Sequence, residues 1–174
     1  MVEYNAPIRD YDFLFNEMFD AIPIAQRLGY DFDSDFFSML TEGWADHTKE
    51  VWLPINQLGD REGLKFNDGN ISMPIEFKSA YDKSKEGGWL STACKPEHGG
   101  MGVPVFFQAV TWAEIGTSTN MAMSVLPALT LGVYDVLIEH GESSLVDYFA
   151  THLASGDWSG TMCLTEPHAG TDLG

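Results

Sequence analysis

Positive charge is scarce in this chain: nine Lys plus Arg stand against 26 Asp plus Glu, a formal net charge of -17 over 174 residues. A field of that sign repels phosphate backbones and anionic lipid surfaces, which argues against nucleic acid and peripheral membranes as partners. Cysteine is nearly absent as well, represented only by Cys94 and Cys163. At most one bridge could form and neither residue has metal-site spacing, so reduced thiols in the cytoplasm are expected. No apolar run is long enough to cross a membrane. The most apolar stretch, 121–138, is interrupted by Pro127, Gly132 and Asp135, and the first residues are polar and acidic rather than a targeting segment. Nucleotide loops are missing too, because Gly99, Gly100 and Gly102 lack the Gly-x4-Gly-Lys-Ser/Thr and Gly-x-Gly-x-x-Gly spacings. None of the five histidines has Glu three residues before it, as a di-iron helix pair would require. Glu42, Asp46 and Glu50, with His47 beside them, therefore read as a solvated acidic helix face, and no metal ligand is assigned.

What is present is apolar mass: 44% hydrophobic and 13% aromatic residues are enough for a sizeable core and too many for a disordered tail. Helical spacing of Tyr11, Leu14, Phe15, Met18, Phe19 and Ile22 predicts a first helix ending at Pro23. Asp33 stands as N-cap before a longer amphipathic helix carrying Phe37, Leu40, Trp44 and Trp52, which should stop at or soon after Pro54. Asp68-Gly69 inside 64–73 predicts a tight hairpin. Pro74 opens a short helix that Gly87 and Gly88 close, and residues 89–94 are expected to be extended. Further helices are expected from Pro104, from near Thr119 to His140 with a possible bend at Pro127, and from Glu142 to Gly156. Residues 158–165 then change to strand character. The fold class is mainly α, with one small hairpin and one strand. A strand needs hydrogen-bonding neighbours, so this one is expected to pair with another chain or lose its regular structure, and to be the start of an incomplete domain.

The last residues carry the chemistry. Thr165 and Thr171 supply hydroxyls, and Gly170 removes a side chain that would keep a ligand from the backbone. Cys163, Leu164, Thr165, Glu166, Pro167, His168, Ala169, Gly170, Thr171 and Asp172 together resemble the flavin-contacting signature of acyl-CoA dehydrogenases, Cys-x-Thr-Glu-Pro-x-Ala-Gly-Ser-Asp, with Thr171 in place of Ser. Upstream, Pro96, Glu97, His98, Gly99, Gly100, Met101 and Gly102 are similar to that family's Pro-Glu-x-Gly-Gly-x-Gly turn. Tyr4 to Asp10 and Gly59 to Gly63 resemble the amino-terminal extension of a longer-chain branch, so the resemblance covers nearly the whole chain.

The resemblance implies an amino-terminal α-helical domain over 1–157 and the start of a middle β-domain over 158–174. It implies FAD as cofactor and an acyl-CoA as substrate, α,β-dehydrogenation to the 2,3-enoyl-CoA, and a homo-oligomer; the electron acceptor stays open. Leu164 through its backbone, Thr165 and Thr171 would contact the flavin, with Thr171 near the pyrophosphate or the thioester ligand. Met123, Leu126 and Leu129 would line the acyl chain's cavity, although ordinary helix-core packing explains them as well. The family's base is a glutamate far downstream, so no catalytic residue is assigned in this chain, Glu166 included, and the chain alone is expected to be colourless and inactive. Two other readings stand beside this one: a helical binding module derived from a flavoenzyme, and an acyl-CoA oxidase passing electrons to oxygen.

Overall fold

The computed structural model describes residues 3–108, 115–116 and 121–172, and the side chains of all of these except 121–127. The architecture among them is mostly helical with one two-stranded antiparallel hairpin. Helix α1 spans Ile8–Asp12 and runs on as a π-helical turn, Phe13–Met18. The run expected to end at Pro23 instead breaks at Asp20, which takes a left-handed φ of 52°, and α2 restarts over Ala21–Arg27. Pro23 is accommodated because it falls in the first turn of α2, where its missing N–H would have had no intrahelical acceptor.

Asp33 caps α3, Ser34–His47, by accepting the Phe36 N–H at 2.7 Å. The expected stop at Pro54 does not occur. A π-helical segment, Thr48–Trp52, shifts the hydrogen-bond register, and Pro54 enters the first turn of the continuing α4, Leu53–Glu62, where it is tolerated. The hairpin pairs β1, Lys65–Asn67, with β2, Asn70–Ser72, placing Phe66 opposite Ile71. Asp68 and Gly69 have φ of 48° and 82°, the two positive angles of the tight turn that the Asp-Gly pair predicted. Helix α5, Ile75–Glu86, follows. Residues 89–94, expected to be extended, form successive turns in which the Ser91 N–H reaches the Gly88 carbonyl and the Cys94 N–H the Ser91 carbonyl.

A 3-10 turn, Pro96–His98, leads to α6, Val105–Phe107. Helix α7, Met121–His140, is continuous through Pro127, and α8, Ser143–Ser155, ends on Gly156 in the left-handed conformation. One core is aromatic: Phe37 and Phe107 lie 5.0 Å apart, Phe15 and Phe37 5.3 Å, and Phe32 and Phe107 5.2 Å. Tyr4, Ala6 and Ile8 of the amino-terminal segment pack against it. A smaller core joins α7 and α8 through Tyr134, Ala150 and Leu153 around Cys94.

Residues 158–165 carry no strand and find no ladder partner among the described residues. Their alternation of apolar residues fits a strand, but a strand exists only as a paired element, so the segment lacks regular structure, as expected for it without a neighbour. No helix among the described residues is long and apolar enough to cross a membrane. Gly132 lies inside α7, and among the described residues nothing stands within 4 Å of the place a Cβ would occupy. Gly132→Ala should therefore stabilise the protein by about 0.5–1 kcal/mol in urea unfolding, because only backbone entropy changes; a loss of stability would place an unseen neighbour there.

Candidate functional site: the loop after α8

The signature residues sit on an exposed loop. Glu166 and Ala169 exchange backbone hydrogen bonds, Glu166 N–H to Ala169 O at 2.8 Å and Ala169 N–H to Glu166 O at 3.3 Å, which folds Pro167 and His168 into a tight turn. His168 Nδ1 lies 3.7 Å from Glu166 Oε2, both side chains largely solvated. Leu164 is half exposed, and Thr165 and Thr171 are exposed. A Cβ at position 170 would stand 3.5 Å from Thr165 Cγ2 and 3.8 Å from its Oγ1, so Gly170 leaves open the space beside that hydroxyl. This donor set suits the flavin that the resemblance implies: neutral hydroxyls and backbone amides for a heterocycle edge or a phosphate, beside an unfilled space.

Other residues singled out from the sequence lie elsewhere. Met123 and Leu126 fall where side chains are not described, and Leu129, on α7, is partly exposed. The chain leading to the loop touches α7 close to Leu129, with the Gly160 N–H donating to Thr130 Oγ1 at 3.1 Å. Glu42, Asp46 and Glu50 are exposed, and no cluster of three or more potential metal ligands occurs among the described residues. A cavity of about 590 Å³ lies at the other end of the chain, between Glu3 and Tyr4 and the start of α4, with Lys49, Leu53 and Gln57 in its wall. It contains none of the signature residues.

The Gly-Gly turn proves to be a structural bolt. Tyr134 of α7 accepts the Lys95 N–H at 3.0 Å, and its hydroxyl forms a second hydrogen bond with His98 Nδ1 at 2.8 Å whose direction follows the His98 tautomer. Burial pushes the Tyr134 hydroxyl up to about 12. Burial, with Asp135 adding to it, does the same to the Cys94 thiol, also to about 12, which removes Cys94 as a thiolate nucleophile near neutrality. Both cysteines are free, Cys94 buried and Cys163 exposed.

Sequence reasoning missed the residues that hold the base of the loop. Tyr81 donates its hydroxyl to the Gly156 carbonyl at 3.0 Å, Lys85 pairs with Asp157, and Ser155 donates to Asp157 Oδ2 at 3.0 Å. Hydrogen bonding to Lys85 lowers the Asp157 pKa and raises that of Lys85. No local pattern announces a partnership between residues 72 positions apart.

The chain is 34% identical over 171 residues to a 3-methylmercaptopropionyl-CoA dehydrogenase of Ruegeria pomeroyi, covering 98% of this chain and 29% of that protein. It is 30% identical over 175 residues to a butyryl-CoA dehydrogenase of Syntrophomonas wolfei, with 95% and 28% covered, and 28% identical over 182 residues to a broad-specificity linear acyl-CoA dehydrogenase of Mycobacterium tuberculosis, with 100% and 28% covered. No family model matches. The chain belongs to the acyl-CoA dehydrogenase family, and it spans less than a third of the length of these curated relatives.

Proposed function

We propose that this chain is the amino-terminal helical part of an FAD-dependent acyl-CoA dehydrogenase, with residues 1–157 as the α-helical domain and 158–174 as the start of a middle β-domain. The observation that carries the reading is the open Thr165 hydroxyl beside the space that Gly170 leaves. Bound flavin would supply the hydride acceptor for α,β-dehydrogenation of an acyl-CoA thioester to the 2,3-enoyl-CoA. The residues of this chain bind and orient: Thr165 bonds the polar edge of the flavin ring, the Leu164 backbone assists, and Thr171 meets the pyrophosphate or the thioester ligand. Met123, Leu126 and Leu129 share α7 and offer apolar contacts to the acyl tail. No residue here is assigned the proton abstraction. The whole protein is a homo-oligomer of the cytoplasm in this reading.

Thr165→Val in the family-length protein tests the reading directly. It removes a hydrogen bond of about 0.5–1.5 kcal/mol while keeping the shape, so flavin affinity should fall several-fold with the fold intact. Equal flavin affinity and equal rates of flavin reduction in wild type and variant would take Thr165 out of the site.

A further inference from the structure

The chain leaves α8 through Gly156, at φ 74°, and is then tied down with a density that its exposure does not explain. Helix α5 holds it twice, through Tyr81 to the Gly156 carbonyl at 3.0 Å and through the Lys85–Asp157 pair. Helix α8 holds it through the Trp158 N–H to the His152 carbonyl at 3.1 Å, with the two rings stacked at 4.2 Å. Helix α7 holds it at Gly160, whose N–H donates to Thr130 Oγ1 at 3.1 Å and whose missing Cβ would stand 2.7 Å from Val133 Cβ. Beyond Gly160 the anchorage changes. Among the described residues, the backbone–backbone bonds of 161–170 are those between Glu166 and Ala169, inside the loop itself.

We propose that Tyr81 and Lys85 are positioning residues for the flavin-contacting loop: by clamping Gly156 and Asp157 to α5 they fix the direction in which 161–170 departs, and hence where the Thr165 hydroxyl stands. The inference rests on the reading of Thr165 as a flavin contact. A role in global stability alone explains the clamp poorly, because Asp157, Trp158 and Ser159 are exposed and a solvated ion pair adds little to folding. Placement of a reacting group within a fraction of an ångström, by contrast, depends on such second contacts.

The test uses the family-length protein with Lys85→Met and Tyr81→Phe, singly and together, Lys85→Arg as the conservative rescue, and Asp157→Asn as an independent break of the same pair. Three quantities are read: amide exchange at Trp158 and Gly160 without flavin, the flavin dissociation constant, and the melting temperature. The double variant should exchange at least about fivefold faster at both amides and bind flavin about five- to tenfold more weakly, with an unchanged melt. Lys85→Arg should restore both. Flavin affinity within about twofold of wild type in the clamp variants, while Thr165→Val weakens it, overturns the clamp and leaves the flavin loop standing. Unchanged affinity in the clamp variants and in Thr165→Val alike overturns both.

Discussion

Gly100→Ala should cost about 3 kcal/mol or more of folding stability, enough to unfold a marginal domain. The reason is steric and local. A Cβ at this position would lie 2.1 Å from the Cys94 carbonyl oxygen, 2.4 Å from its carbonyl carbon and 2.6 Å from its Cβ. None of these atoms can move cheaply. The Cys94 carbonyl accepts the Gly102 N–H at 2.9 Å, the Gly100 N–H itself reaches the Lys95 carbonyl at 3.1 Å, and Tyr134 grips Lys95 from α7. Cys94 is buried at the centre of the second core, so relief by displacement would unpack α7 from α8. Gly99→Ala is the control. Its φ of 89° makes any side chain strained, but among the described residues nothing stands within 4 Å, so its cost should stay near the about 1–3 kcal/mol of an unfavourable backbone region. Urea unfolding of the two variants separates the cases; a Gly100→Ala loss below about 1 kcal/mol would mean that the turn yields and bolts nothing.

That glycine illustrates what a sequence carries and what it does not. The Gly99-Gly100 pair announces a turn, but only the fold shows that Gly100 is required by a close approach and Gly99 by its backbone angle. Local chemistry was legible wherever a few neighbours decide the outcome. Asp33 caps α3, Asp68-Gly69 turns the hairpin, and Gly156 ends α8, each because the relevant bond or angle lies within one turn of the chain. The errors share a different cause. The π-helical segment, Thr48–Trp52, lets α4 continue through Pro54, and nothing in the composition there marks a register shift. Asp20 breaks the first helix without glycine or proline, using a left-handed angle that aspartate tolerates. Residues 158–165 have a strand's pattern, yet pairing is a property of neighbours. The candidate loop could be proposed from sequence because Cys163 to Asp172 resembles one short family signature, whereas its clamp could not, since Lys85 and Asp157 meet only after α5 and α8 have packed.

Ser84→Ala should cost about 2–3 kcal/mol although it deletes a single oxygen. The Ser84 hydroxyl is fully buried and serves three partners: it donates to the Ala80 carbonyl at 2.9 Å, accepts the Trp52 Nε1–H at 2.9 Å, and stands 2.8 Å from His47 Nε2. One donor proton and two lone pairs are used completely if His47 carries its proton on Nε2. Alanine would leave the Trp52 indole N–H, on a side chain 1% exposed, with no acceptor, and that desolvated donor is the main cost. Trp52→Phe removes the same donor, so the cost of Ser84→Ala measured in a Trp52→Phe background should shrink by about 1 kcal/mol or more. Additive losses would show that the serine acts through volume rather than through this bond. The third partner supplies an acid signature. Burial, with Lys83 adding to it, lowers the His47 pKa from 6.5 to about 4. The unfolded chain therefore binds the proton first, so the stability owed to neutral His47 is complete above pH 6.5 and is lost as pH falls towards about 4. Partial exposure of the ring screens the effect to about 1–2 kcal/mol. Urea midpoints compared at the two ends of that window should fall less in His47→Gln than in wild type; parallel falls would assign the acid loss to carboxylates alone.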